Sequence, residues 1–326
     1  RKRMCLLMKI TVIGCGRWGS FLAWYLDTLG HEVTLCGRPG SSHLEQFRRT
    51  RSNGLITFPP TVAFSTHQQA AVEDCEILVV SVGAQSLRAL MGSLPVEKLR
   101  GKPIVLCMKG IENGTGLRLS QVVEEFVFSD TPVAVWVGPG HVQEFTRGVP
   151  NCMVIDSQNR QVTSWLVETF RGPLIRFYYG TDLMGTEVGA ASKNVIGIAA
   201  GMLDGLGLSS LKGALMARGA REIARLIEAM GGDWRSAYGL AHLGDYEATV
   251  FSPHSHNRAY GEAFVTGRDF GQLAEGVETA RALALLEQRY QVDLAICDAV
   301  RQVLDGVSAP REALEQLFLR SLKEEF

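Results

Sequence analysis

Lys9-Ile10-Thr11-Val12-Ile13-Gly14-Cys15-Gly16-Arg17-Trp18-Gly19 is the stretch from which the fold is read. A short apolar run of β-strand character leads straight into a GxGxxG, and Ser20 to Leu29 continues as a helix. In such a strand–turn–helix, Gly14 allows the tight turn, Gly16 lets the backbone approach a pyrophosphate, and Gly19 lets the helix lie close on the strand. The amides at the helix N-terminus then offer donors to an anion. Glycines alone mean little. Here strand, glycines, helix and a second strand at Glu32 to Cys36 follow in the required order within about thirty residues, which is the context of dinucleotide binding.

An NAD-specific site carries an acidic residue about twenty positions further on, where it accepts the ribose hydroxyls. None stands there. The second strand ends Cys36-Gly37-Arg38, with Ser41 and Ser42 behind it, so a cation and hydroxyls occupy the place of a 2′-phosphate. NADP(H) is therefore expected to bind at least as well as NAD(H). The other reading of Arg38 is a solvated surface cation.

Outward from this stretch, β-branched runs alternate with amphipathic ones, as βα units require. Strands are predicted at Ile77 to Val82, Ile104 to Met108 and Val133 to Val137, with Cys152 to Ile155 and Leu174 to Tyr178 extending the sheet around a helix near Val162 to Phe170. None shows strict polar alternation, as strands covered on both faces should not. After Tyr179 helical periodicity takes over: Ile223, Leu226, Ile227 and Met230 share one face, and Leu273, Val277, Ala280 and Ala284 another. The expectation is an α/β protein, with an N-terminal Rossmann-type, mostly parallel sheet over residues 8–180 and an all-α C-terminal domain over 181–326.

Hydrophobic residues make up 46% of the 326-residue chain and charged residues 21%, in the range of ordinary globular proteins. A formal net charge of −1 gives no global field to attract nucleic acid or an anionic membrane. Seven cysteines without a CxxC spacing read as reduced thiols, and neither a cleavable leader nor an apolar run of about 18 residues is apparent. The expectation is a cytoplasmic protein with no membrane span, no nucleic-acid partner and no metal site.

Ligands of open α/β sheets bind beyond the carboxyl ends of the strands. Two such ends carry chemistry. Lys109-Gly110 closes the Ile104 strand, and Gly138-Pro139-Gly140-His141 closes the Val133 strand. Lys109 is a compact charge suited to a phosphate or carboxylate, or else a solvated loop lysine; His141 reads as structural.

In the second half, Lys193 is the only charge within VGAASKNVIGIAAGML. So many small neighbours imply close helix contacts and a partly desolvated ammonium, and desolvation brings a lysine pKa down toward general acid/base values. A ketone reduced by hydride needs a proton on its oxygen as charge develops, and Lys193 is the candidate donor, with Asn194 beside it to orient substrate. Asp245 is a candidate partner for Lys193. Ser255, His256, Asn257 and Arg258 crowd anion-binding groups into one short stretch.

With these segments in view, the chain resembles the bacterial NAD(P)-dependent glycerol-3-phosphate dehydrogenases over nearly its full length. KITVIGCGRWG, CMKGIE, VGPGHVQEFTRGVP, EVGAASKNVIGIAAGMLDGLG, ALMARG, HLGDY and SPHSHNRAYGEAF occur in family order. The resemblance implies hydride transfer between sn-glycerol 3-phosphate and dihydroxyacetone phosphate, with NADP or NAD, feeding glycerophospholipid synthesis in a homodimer. It implies that Lys193 is the acid/base, supported by Lys109 and Asp245. Lys109, Gly138, Asp245, Thr249, Ser255 and Asn257 are implied as substrate contacts, and Gly140, Asn194, His256 and Arg258 are candidate contacts beside them. Gly14, Gly16, Arg17, Trp18, Gly19, Arg38, Lys109, Val142, Leu273 and Glu275 are implied as cofactor contacts.

Two positions depart from the family pattern. His256 stands where an arginine is usual, so the phosphate clamp lacks a fixed charge and its bidentate fork unless Arg258 replaces it. Gly140 stands where a serine is usual. The competing readings are a ketopantoate-reductase-like hydroxy-acid dehydrogenase, which leaves CMKGIE and the SHNR segment unexplained, and a non-catalytic dinucleotide sensor.

Overall fold

Ile10 and Val12 of β1 (Lys9–Ile13) pack into one apolar layer and Ile13 into another. The same alternation recurs in β4 (Ile77–Val80), where Ile77 and Val79 join the first layer and Leu78 and Val80 the second. Both faces of the sheet are thus covered, which is why its central strands are apolar throughout. The computed structural model describes residues 7–272, 274–320 and 324. It comprises two compact units. One runs to Lys109 and resumes over Leu117–Glu187; the other takes Gly110–Gly116 and continues from Val188.

The first unit holds an eight-stranded sheet in the order β3-β2-β1-β4-β5-β6-β7-β8. Its other strands are β2 (Glu32–Cys36), β3 (Ala63–Ser65), β5 (Ile104–Leu106), β6 (Val133–Val137), β7 (Asn151–Ser157) and β8 (Ile175–Tyr179). All neighbours are parallel except β6 and β7, so the first six strands follow the doubly wound dinucleotide order. Between them run α1 (Arg17–Thr28), α2 (Ser42–Thr50), α3 (Gln68–Asp74), α4 (Leu87–Ser93), α5 (Leu119–Glu124), α6 (Val142–Thr146) and α7 (Arg160–Phe170). Arg118 and Ser120, at the start of α5, bind the buried carboxylate of Glu187.

Boundaries moved for identifiable reasons. β3 escaped prediction because three residues on an edge carry no readable period. β4 stops at Val80 rather than Val82, since at Ser81 the chain abuts the Gly14 turn. α1 opens at Arg17, three residues before Ser20, because the last glycine of the motif is already helical. α7 opens at Arg160 because the Asn159 side chain caps it, accepting from Gln161 and Val162 amides.

The second unit is helical. α8 (Leu183–Gly205) is followed by α9 (Lys212–Ala229), α10 (His256–Val265), α11 (Glu275–Tyr290), α12 (Ala295–Leu304) and α13 (Pro310–Phe318). From Val188 to Leu203 every residue of α8 is buried, the pattern of a central helix. Glycines let the segment 242–265 lie against it. A Cβ on Gly201 would stand 1.9 Å from the Arg258 carbonyl oxygen, and one on Gly261 would stand 2.1 Å from that of Ile198. α11 also lies close, with a Cβ on Gly276 placed 2.7 Å from the Asn194 oxygen. That approach turns the face of α11: Gly276, Thr279, Ala280, Leu283 and Leu286 are buried, while Val277 and Ala284 of the predicted stripe are only half-buried. Leu273 lies outside the described residues.

Candidate functional site

The sequence-predicted residues fall into two constellations, one in each unit. In the first, Gly14 has φ +119°, and a Cβ there would lie 2.0 Å from the Ser81 oxygen. Only glycine fits that turn. Gly19 is equally constrained, since its Cβ would meet the Gly14 oxygen at 2.0 Å, whereas a Cβ on Gly16 would meet nothing within 4 Å. The turn is therefore closed on the protein side and open at Gly16. No side chain caps the first turn of α1, which leaves its amides to an external anion, and the cradle fits a dinucleotide pyrophosphate.

Around the cradle, Arg17 is exposed and Trp18 half-buried, its ring 5.0 Å from Phe21 and 6.3 Å from Phe145. Arg38 is exposed after β2. Ser41 caps α2 by accepting from the Leu44 amide at 3.3 Å, so one of the two hydroxyls singled out near Arg38 also has a structural task. Lys109 donates from Nζ to the Gly138 carbonyl at 3.1 Å, joining the ends of β5 and β6. Val142 is packed into the core. Gly140 has φ +151°, and a Cβ there would sit 2.4 Å from the buried Phe145 ring, which stacks on Phe21 with centroids 4.8 Å apart. The ring occupies the space a serine side chain needs.

In the second unit, Lys193 and Asp245 form a buried ion pair, with Nζ 2.6 Å from Oδ2. Lys193 Nζ also donates to Thr249 Oγ1 at 2.7 Å, and that hydroxyl donates to the Asp245 carbonyl at 2.7 Å. Thr249's only proton is thus directed at the backbone, and its lone pairs face the ammonium. Thr249 belongs to a π-helical turn, Glu247–Phe251, a local distortion often found at working sites. The carboxylate favours the charged ammonium, opposing the desolvation that the small-residue helix imposes.

Glu275, the first residue of α11, is half-buried and Asn194 is buried in α8. Ser255 caps α10 by accepting from the Arg258 amide at 3.3 Å, and Asn257 Oδ1 accepts from the Gly276 amide at 2.9 Å. His256 is half-buried, its ring edge-on to Phe270. Arg258, the candidate substitute for the clamp arginine, has protein partners of its own. Its Nη1 is held by Asp204 at 2.9 Å and Glu262 at 3.1 Å, and its Nε donates to the Ser252 carbonyl. Its charge is committed to neighbouring carboxylates.

Sequence reading passed over His242 and Tyr246, which flank Asp245. His242 Nδ1 lies 2.8 Å from the Gly189 oxygen, and the Tyr246 hydroxyl lies 2.7 Å from His242 Nε2. The available signal was a histidine and a tyrosine at i and i+4 around the aspartate. Among the described residues no group of three or more His, Cys, Asp or Glu side chains is placed to hold a metal ion. No helix among them is long and apolar enough to cross a membrane.

Comparison with known proteins bears on both constellations. The sequence model of the NAD-dependent glycerol-3-phosphate dehydrogenase N-terminus matches residues 9–163, and that of the C-terminus matches residues 182–315. A glycerol-3-phosphate dehydrogenase [NAD(P)+] of Desulfitobacterium hafniense is 36% identical over 331 residues, covering 98% of this chain and 93% of its own. One of Pelodictyon phaeoclathratiforme is also 36% identical, covering 98% and 99%. Among solved structures, glycerol-3-phosphate dehydrogenase from Coxiella burnetii superposes with a TM-score of 0.89 at 28% identity, covering 96% of this chain and 99% of that one.

Proposed function

Because the chain belongs to the NAD-dependent glycerol-3-phosphate dehydrogenase family, we propose that Lys193 is the general acid and base of its reaction. The chain is an NAD(P)-dependent oxidoreductase that interconverts sn-glycerol 3-phosphate and dihydroxyacetone phosphate. The hydroxy-acid dehydrogenase and sensor readings have no feature of their own in either constellation. The observation that carries the role of Lys193 is its buried contact with Asp245 and Thr249 on an otherwise uncharged stretch of helix.

When bound, the reduced dinucleotide supplies the hydride. Gly14, Gly16 and Gly19 with the α1 amides would hold its pyrophosphate, assisted by Arg17 and Trp18, and Arg38 would favour NADP by its positive charge. Lys193 gives a proton from Nζ to the ketone oxygen as negative charge gathers there, and takes it back in the reverse direction. Asp245 keeps the ammonium charged and aimed, and Thr249 fixes the line between them. Lys109 draws the substrate's anionic end. Ser255, His256 and Asn257 complete the phosphate contacts, with Arg258 setting their backbone through Ser252 and Asp204.

Residues 8–180 serve as the dinucleotide domain and 181–326 as the substrate domain in this reading. A homodimer in the cytoplasm, supplying glycerophospholipid synthesis, fits the family. Absorbance at 340 nm with NADPH and dihydroxyacetone phosphate tests the activity: the expected result is steady loss of NADPH, and binding of NADPH without turnover would contradict it and support the sensor.

A further inference from the structure

Gly189 lies four residues before Lys193, so by α-helical geometry its carbonyl is the acceptor of the Lys193 backbone amide. The same carbonyl oxygen meets His242 Nδ1 at 2.8 Å. A carbonyl carries no proton, so Nδ1 must be the protonated nitrogen, and Nε2 therefore accepts from the Tyr246 hydroxyl at 2.7 Å. The tautomer is fixed at both ends. The His242 carbonyl in turn accepts the Asp245 amide at 3.0 Å. One imidazole thus joins the turn of α8 that carries Lys193 to the turn that carries Asp245. The missing side chain of Gly189 allows the approach, since a Cβ there would lie 3.1 Å from His242 Cβ.

We propose that His242 and Tyr246 are positioning residues, a neutral brace that holds Asp245 against Lys193. This rests on the assignment of Lys193 as acid/base. A neutral ring is needed because a second cation beside Lys193 would compete for the Asp245 carboxylate. Full burial pushes the His242 pKa down to about 4, with Lys193 adding to that push and the Gly189 and Asp245 contacts opposing it. Burial raises the Tyr246 phenol, and Cys297 on α12, Glu222 on α9 and Tyr238 push it further in the same direction. The hydroxyl therefore stays protonated and remains a donor to His242.

The test compares His242→Leu, which cannot donate to Gly189, with His242→Asn, whose amide nitrogen takes the place of Nδ1. Tyr246→Phe removes only the far end of the brace. Each variant is assayed for dihydroxyacetone phosphate reduction with NADPH across pH, with melting temperature measured in parallel. For His242→Leu, kcat is expected to fall about tenfold or more and the Lys193-governed limb of the pH profile to move, with KM for NADPH unchanged. His242→Asn is expected to recover most of that loss, and Tyr246→Phe to fall between. Equal losses in the leucine and asparagine variants, or a lowered melting temperature with kcat and the pH limb unmoved, would overturn the brace. Lys193→Met separates the two ideas: retained turnover overturns the acid/base assignment and the brace with it, whereas lost turnover beside an unmoved His242→Leu profile overturns the brace alone.

Discussion

At the scale of residues, the second unit shows how one cation is kept and another is given away. Lys193 and Arg258 are each paired with a carboxylate, Asp245 for the first and Asp204 for the second. Lys193 meets the Asp245 carboxylate and the Thr249 hydroxyl, whereas Arg258 is shared between Asp204 and Glu262 and tied to backbone. In the proposed site, His256 then stands among the phosphate contacts where the family has an arginine. Replacing it by arginine restores a permanent charge and two parallel donors. His256→Arg is expected to lower KM for dihydroxyacetone phosphate by about tenfold, since hydrogen bonds to charged groups contribute about 1.5–3 kcal/mol. Initial rates over a substrate series for the two proteins measure it. The other departure, Gly140, has a packing cause in this chain: Phe145, stacked on Phe21, fills the position of the absent side chain.

Among the elements, α8 sets the geometry through what it lacks. Gly189 admits His242, Gly197 admits Thr249, and Gly201 admits the start of α10, so one helix face receives the whole segment that carries Asp245 and Thr249. α9 makes a different contribution: Glu222 reaches across to the bare N-terminus of α12, accepting from the Ile296 amide at 2.9 Å and the Cys297 amide at 3.0 Å. Burial raises the Glu222 pKa to about 7 despite those two bonds. The folded chain therefore keeps this proton between about pH 4.5 and 7 while the unfolded chain gives it up, and the associated stability is lost as pH rises through that window. His242 acts in the opposite sense. Its folded pKa is depressed to about 4 from 6.5, so its stability is present above 6.5 and lost as pH falls toward 4. Each effect is on the order of 3 kcal/mol, and the two act in opposite directions over overlapping windows. Relative to the wild type, Glu222→Gln is expected to gain stability as pH rises from 4.5 to 7, and His242→Asn to lose it from 4 to 6.5. Urea unfolding at several pH values checks both slopes.

For the whole molecule, the α/β half was legible because covered strands and the GxGxxG turn write themselves into apolar runs and glycines. The edge strand β3 was not, being too short to show a period. In the helical half, periodicity revealed α9 and α11 but misplaced the buried face of α11, which a backbone contact at Gly276 decides. Lys193 stood out by isolation and Asp245 by resemblance. The His242–Tyr246 contacts depend on which rotamers meet across a glycine, information that no spacing contains. The Arg258–Asp204 pair was equally illegible, since nothing local in the sequence announces Asp204 as its partner. The most direct measurement is kcat of Lys193→Met for dihydroxyacetone phosphate at saturating NADPH, with NADPH affinity measured on the same sample. The expected result is a fall of roughly 10² to 10⁴-fold with cofactor affinity intact, the range for loss of a general acid. A kcat within roughly threefold of the wild type contradicts the role given to Lys193.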